Sequence, residues 1–153
     1  MIVGIDPGKG GGLAYIDPAG GAAGRPMPMV GKEIDGHELA TLLHNLNPAM
    51  VIVEKSQAMP GQGVTSMFNY GVGFGRLLGI LEALGIPYRL VTPQAWKKVV
   101  LAGTAKDKDA AIQFCRRAFP RVSLTPGQKR KPHDGVADAL CMAEYGRQLQ
   151  GVA

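Results

Sequence analysis

Met50–Val53 reads MVIV, four apolar residues in succession, and the next residue is Glu54. A strand with one wet face alternates apolar and polar residues. A continuous, largely β-branched run belongs to a strand covered on both faces. Such a strand needs helices above and below it, which restricts the chain to a layered α/β architecture. The flanking segments agree. Met1–Asp6 is a second such run, Pro7-Gly8-Lys9-Gly10-Gly11 is turn chemistry, and Gly12–Ile16 is a third run, so the first two strands read as an antiparallel hairpin. Asp17-Pro18 with Gly20 and Gly21 turns the chain into a weak strand over Ala22–Met27, which Pro26 and Pro28 confine to a sheet edge.

Helices follow from spacing and punctuation. Asp35 is placed as an N-cap, Glu38 completes a capping box, Leu39, Leu42, Leu43 and Leu46 repeat at helical intervals, and Pro48 stops the element. After a Pro/Gly/Gln/Ser loop over Ser56–Val64, a long helix is expected over roughly Thr65–Leu84, closed by Gly85 and Pro87. Tyr88–Val91 is a short strand. Thr92 caps and Pro93 opens a helix with body Gln94–Leu101. Lys106–Phe119 is a helix ended by Pro120, Ser123–Arg130 a polar loop, and Pro132 opens a last helix to about Leu149. The expectation is one α/β domain over residues 1–153, with a mixed five-stranded sheet, its first three strands antiparallel, flanked by helices.

At 153 residues and 46% apolar content the chain can bury a core without disulfides. No apolar run has the length of a membrane helix, and the first residues enter a strand with no basic leader before them. Cys115 and Cys141 lack zinc-ligand spacing. These features predict a reduced, cytoplasmic setting and no membrane. The net charge is +5, from 17 Lys+Arg against 12 Asp+Glu. Bases are sparse early, only Lys9, Arg25 and Lys32 up to Val53. They cluster late: Lys97, Lys98, Lys106, Lys108, Arg116, Arg117, Arg121, Lys129, Arg130 and Lys131. That clustering fits either a face for a polyanion or ordinary solvated helix surface.

The acids are more informative. Asp6 and Glu54 each end a buried-type strand, where rigid backbone holds a side chain at a sheet crevice. Asp134 and Asp138, at i and i+4, share one face of the last helix. Ala137, Ala139 and Ala143 beside them are small, so that helix can approach the sheet closely. If the three elements converge, the four carboxylates form an all-oxygen set of the kind Mg²⁺ and Mn²⁺ prefer. A pair of such ions can clamp a phosphodiester.

Four segments together resemble the RuvC-type Holliday junction resolvases of the RNase H-like superfamily, particularly phage-encoded members. They are GIDPG (Gly4–Gly8), VIVEKS (Val51–Ser56), TPQAWKK (Thr92–Lys98) and HDGVADAL (His133–Leu140), and they stand in the family's order. The resemblance implies an RNase H-like fold and a homodimeric crossover junction endonuclease. Such an enzyme cuts four-way DNA by paired symmetric nicks, leaving 5′-phosphate and 3′-hydroxyl ends. It implies Mg²⁺, with Mn²⁺ as substitute and two ions per site, held by Asp6, Glu54, Asp138 and Asp134. Asp134 lies four residues before Asp138, where bacterial resolvases have an acid three residues before, and His133 is an alternative fourth group. Lys97 stands where the family has a helpful lysine, and Lys106 or Lys108 approximates a second. Lys98, Lys129, Arg130 and Lys131 are candidates to hold DNA.

The long helix adds a question. Met67, Tyr70, Phe74, Leu77, Leu78, Leu81 and Leu84 form an apolar stripe, and Gly71, Gly75 and Gly79 recur on a neighbouring face. The glycines mark close approach, either to the sheet or to a dimer partner. Phe68 and Tyr70 are candidates to stack on unpaired bases, Tyr70 equally a core aromatic. Two other readings remain open on sequence alone. One is an RNase H-fold nuclease acting on another branched DNA or an RNA-containing substrate. The other is a fragment of an actin- or hexokinase-like ATPase, which needs a second lobe and a second phosphate hairpin.

Overall fold

β1 (Ile2–Asp6) lies at the centre of the sheet. It pairs antiparallel with β2 (Gly12–Ile16), with Asp6 opposite Gly12, and parallel with β6 (Met50–Glu54), with Ile5 opposite Val53. β3 (Ala22–Pro26) extends the antiparallel side, and β7 (Tyr88–Val91) pairs parallel with β6, giving the order β3-β2-β1-β6-β7. This is the expected mixed five-stranded sheet, with the proline-bearing strand on an edge. The structure, a computed structural model, describes residues 1–55, 61, 63–104, 107 and 109–151.

The apolar run of β6 sends its side chains both ways. Val51 and Val53 enter a core with Val3, Ile5 and Leu13, covered by α1 (Gly36–Leu46) and α2 (Val64–Ala83) through Leu39, Leu43, Leu77 and Leu81. Ile52 enters the opposite core, with Ile2 and Ala14. That core is covered by α3 (Pro93–Val100), α4 (Ala110–Ala118) and α5 (Asp134–Gly151) through Trp96, Val100, Ile112, Leu140 and Met142.

α5 lies against β1 at backbone distance. A side chain on Gly4 would collide with the carbonyl of Ala139 and come within 2.6 Å of the amide of Ala143. At the start of the helix, Gly135 forms a parallel bridge with Gly11, and a Cβ there would stand 2.5 Å from the Gly10 carbonyl. The small residues expected to allow close approach do so, and Gly4 and Gly135 are their counterparts.

Several expectations need correction. A two-stranded hairpin, β4 (Met29–Val30) and β5 (Glu33–Ile34), was not anticipated, because two-residue strands are too short to show a period. Asp35 does cap α1, accepting from the Glu38 amide at 2.9 Å. The reciprocal half of the capping box is absent: Glu38 instead pairs with Arg25 at 2.6 Å, and the Asp35 amide donates to the Pro28 carbonyl. α4 begins at Ala110 rather than Lys106. Lys106 and Lys108, with most of the loop expected over Ser56–Val64, lie outside the described residues. The apolar stripe of α2 is core only in its second half. Leu77 and Leu81 are buried and Phe74 and Leu78 partly so, but Met67 and Leu84 are exposed. The glycine ridge does not face the sheet: among the described residues, nothing stands within 4 Å of where a Cβ would lie at Gly71, Gly75 or Gly79.

Candidate active site

Asp6 and Glu54 end neighbouring parallel strands one residue past the Ile5–Val53 pair, so their backbones stand side by side at one end of the sheet. Side chains two apart on a strand share a face. Asp6 therefore shares the face of Gly4, the face against which α5 packs, and Glu54 shares that of Ile52. Asp138 immediately precedes Ala139, whose carbonyl lies over Gly4. Close packing of α5 on β1 thus brings the last-helix acid to the end of the two strands.

The electrostatics register this convergence. Burial raises the Asp6 carboxyl to about 8; Glu54 and Asp138 add to the rise and Lys97 opposes it. Burial likewise raises Asp138 to about 6, with Lys97 opposing and Glu54 and Asp134 adding to it. Three acids and one lysine, from β1, β6, α5 and α3, therefore act on one another. Asp134 is exposed, acts on Asp138, and is not among the groups that shift Asp6, so it stands at the rim.

His133 has another task. Its Nδ1 accepts from the Val136 amide at 3.2 Å, capping α5. That contact commits Nδ1 as an acceptor, which leaves Nε2 as the only ring nitrogen free for other use.

Sequence reasoning missed Trp96. It is fully buried, and its indole Nε1 donates to Glu54 Oε2 at 2.8 Å. The Lys97 ammonium stands 5.1 Å from the Trp96 ring centroid. The available signal was a lone tryptophan beside Lys97 in a helix capped by Thr92, whose hydroxyl accepts from the Ala95 amide at 3.3 Å.

The other candidates are distributed as follows. Lys97, Lys98, Lys129, Arg130 and Lys131 are exposed. Phe68 is 71% exposed near the start of α2. Tyr70 is half-buried and stacks on Phe74, with ring centroids 6.2 Å apart.

Among the described residues, no three Asp, Glu, His or Cys side chains are gathered closely enough to hold a metal ion as they stand. The donor chemistry nevertheless suits a hard divalent cation. The mutually acting groups are carboxylates, and burial with like charge makes Asp6 retain a proton near neutral pH. A cation can replace that proton and relieve the repulsion.

No family model matches the sequence. Over 93 residues, 61% of this chain, it is 30% identical to a chloroplastic Holliday junction resolvase of Chlamydomonas reinhardtii. The chain spans about a tenth of the length of that relative, 10%. Among solved structures it is similar to Thermus thermophilus RuvC in complex with a Holliday junction substrate. The TM-score is 0.69 at 20% identity, covering 96% of this chain and 94% of that one. Free Thermus thermophilus RuvC is similar at TM-score 0.62 and 21% identity, over 96% and 95% of the two chains. A fowlpox virus resolvase bound to Holliday junction DNA is similar at TM-score 0.53 and 14% identity, over 97% and 99%. The fold is that of the RuvC structures.

Proposed function

We propose that this chain is a Holliday junction resolvase, a metal-dependent, structure-selective endonuclease that nicks four-way DNA symmetrically. The observation that carries the reading is the mutual action of Asp6, Glu54 and Asp138 at one end of a RuvC-like sheet, with Lys97 beside them. The DNA named with two of the similar structures, and the activity named for the Chlamydomonas relative, supply the substrate class.

In this reading Asp6, Glu54 and Asp138 hold Mg²⁺, or Mn²⁺ in its place, as two ions, with Asp134 at the rim. When bound, the cations would supply an activated water and charge stabilisation at the scissile phosphate. Attack in line with the bond to the 3′ oxygen would leave a 5′-phosphate and a 3′-hydroxyl. Trp96 orients Glu54, and Lys97 places positive charge beside the acids. Exposed Lys98, Lys129, Arg130 and Lys131 hold phosphates, which position the DNA without reading its sequence.

Two symmetric cuts call for a two-fold dimer. The bare ridge of Gly71, Gly75 and Gly79 and the exposed apolar side chains Val64 and Val72 support α2 as its interface, while exposed Phe68, near the start of that helix, stacks on bases at the junction centre. The spacing of Asp134 and Asp138 favours the phage-type branch, as one nuclease unit acting in the cytoplasm of a bacterial or phage-infected cell. Among the described residues, no helix is long and apolar enough to cross a membrane.

Charge-neutral variants test this assignment. Asp6→Asn, Glu54→Gln and Asp138→Asn should each bind a four-way junction at least as well as wild type, since cationic contacts dominate affinity, and should fail to cut it. Near wild-type cleavage by any of them would remove that residue from the site.

A further inference from the structure

The sequence holds two cysteines, Cys115 on α4 and Cys141 on α5, and the acid site uses neither. Both are free and buried. Their sulfurs lie 3.8 Å apart, in contact across the seam between the two helices. Each thiol also approaches the backbone of the other helix. Cys115 donates to the Ala137 carbonyl at 3.4 Å, and Cys141 to the Ala111 carbonyl at 4.0 Å. A disulfide holds its sulfurs about 2.05 Å apart, so joining this pair asks for a closure of less than about 2 Å.

The two helices differ in freedom to supply that movement. α5 is fixed, because the Ala139 carbonyl, two residues before Cys141, lies against Gly4 of β1 at backbone distance. α4 is a short helix of 9 residues that packs mainly on α5. Asp109 at its start makes no side-chain capping bond. Closure therefore moves α4. The same features make α4 an element that opens locally at low cost.

Opening governs reactivity. While the helices are docked, the hydrogen bond with Cys115 and burial push the Cys141 thiol up, away from the reactive thiolate. Departure of α4 wets both sulfurs. A thiolate can then attack hydrogen peroxide, breaking the O–O bond to give a sulfenic acid and hydroxide. When α4 redocks, the second sulfur meets the sulfenic sulfur, the S–S bond forms, and the sulfenic oxygen leaves as water. Two thiols and one peroxide become one disulfide and two waters.

We propose that Cys115 and Cys141 form a redox latch, in which peroxide joins them as an intrachain disulfide that ties α4 to α5. The loop so closed spans residues 116–140 and carries Lys129, Arg130, Lys131, Asp134 and Asp138. Under oxidising conditions the latch holds this segment against unfolding. It does not depend on what the acid site cuts.

The test treats reduced wild-type protein with hydrogen peroxide. Thiols are titrated in denaturant, peptides are mapped without reductant, and thermal melting is recorded. Both thiols should disappear together, and a peptide pair joined through Cys115 and Cys141 should appear. The melting temperature should rise by about 5 °C or more, because the crosslink restricts the unfolded chain. Dithiothreitol should restore the thiols and reverse the rise. Cys115→Ala and Cys141→Ala, treated in the same way, should show no rise, which separates the crosslink from methionine oxidation. Four results would each overturn the proposal. They are chains joined to one another, sulfinic acid in place of the disulfide, thiols that survive in the folded protein a peroxide exposure that consumes them in urea, and a crosslinked protein that melts no higher than the reduced one.

Discussion

The indole N–H of Trp96 donates to the carboxylate of Glu54 across 2.8 Å, joining α3 to the end of β6. Trp96 is wholly buried in the core beneath α5, so this hydrogen bond fixes Glu54 from a rigid support. The next residue, Lys97, acts on both Asp6 and Asp138. One helical turn therefore sets the orientation of one acid and the charge beside two others.

Trp96→Phe should retain most of the packing and lose the donor. Supporting contacts of this kind change activity by about 10- to 100-fold, so cleavage should fall by about tenfold or more. Stability should fall by about 1–3 kcal/mol, because a part-buried acceptor is left unpaired. Single-turnover cleavage and thermal melting of the same variant separate the two effects.

The raised Asp6 carboxyl predicts an unusual pH dependence for the metal-free protein. The folded state holds this proton up to about pH 8, whereas the unfolded chain releases it near its ordinary value. Where the native state binds more protons, stability falls as pH rises. The contribution is fully present below about pH 4 and is lost progressively up to about pH 8, with Asp138 adding to the loss up to about pH 6. Metal-free wild type should therefore gain stability from Asp6→Asn at pH 9 and little at pH 4. Added Mg²⁺ should raise the melting temperature of wild type at pH 9 and have less effect on the variant. Differential scanning calorimetry in EDTA and in Mg²⁺ reads both.

Gly4→Ala should be among the most damaging small substitutions in the chain. Its methyl group would meet the backbone of α5 at Ala139 and Ala143, and backbone cannot swing aside as a side chain can. The expected loss is about 3 kcal/mol or more, toward the upper end of the cost of overpacking. Urea unfolding measures it, and loss of metal-dependent cleavage should accompany it because Asp138 moves with the helix.

Gly75→Leu should behave differently. Among the described residues no neighbour lies within 4 Å of a Cβ there, so the added side chain overpacks none of them. The variant should fold with a near-normal melting temperature for the monomer, sediment as a monomer, and lose the second cut of a junction more than the first. A stable dimer with coordinated cuts would remove the glycine ridge from the interface.

The fold was legible where a residue's neighbours are dictated by local pattern. The unbroken run Met50–Val53 announced a two-sided strand, and Pro26 announced an edge. Thr92-Pro93 announced a helix start, and the structure has each of them. Asp6 and Glu54 were expected at the ends of such strands, and the structure has them there. Features that depend on a distant partner were not legible. Glu38 was read as closing its own helix cap, yet it reaches Arg25 across 13 residues. The stripe on α2 gives the period of the apolar face and not its extent of cover, so the exposure of Met67 and Leu84 at its two ends was not legible. Trp96 reads locally as a buried aromatic. Its contact with Glu54, 42 residues away, exists only once β6 and α3 are packed together.

The central claim is junction cutting by a metal-dependent acid site. Its most direct test is to incubate the wild-type protein with a four-way junction, a linear duplex of the same sequence and an RNA–DNA hybrid, each in Mg²⁺ and in EDTA. The predicted result is cleavage of the junction alone, only in Mg²⁺, as paired symmetric nicks that ligase reseals. Cleavage of the duplex or hybrid in preference to the junction, or cleavage that persists in EDTA, would contradict the account.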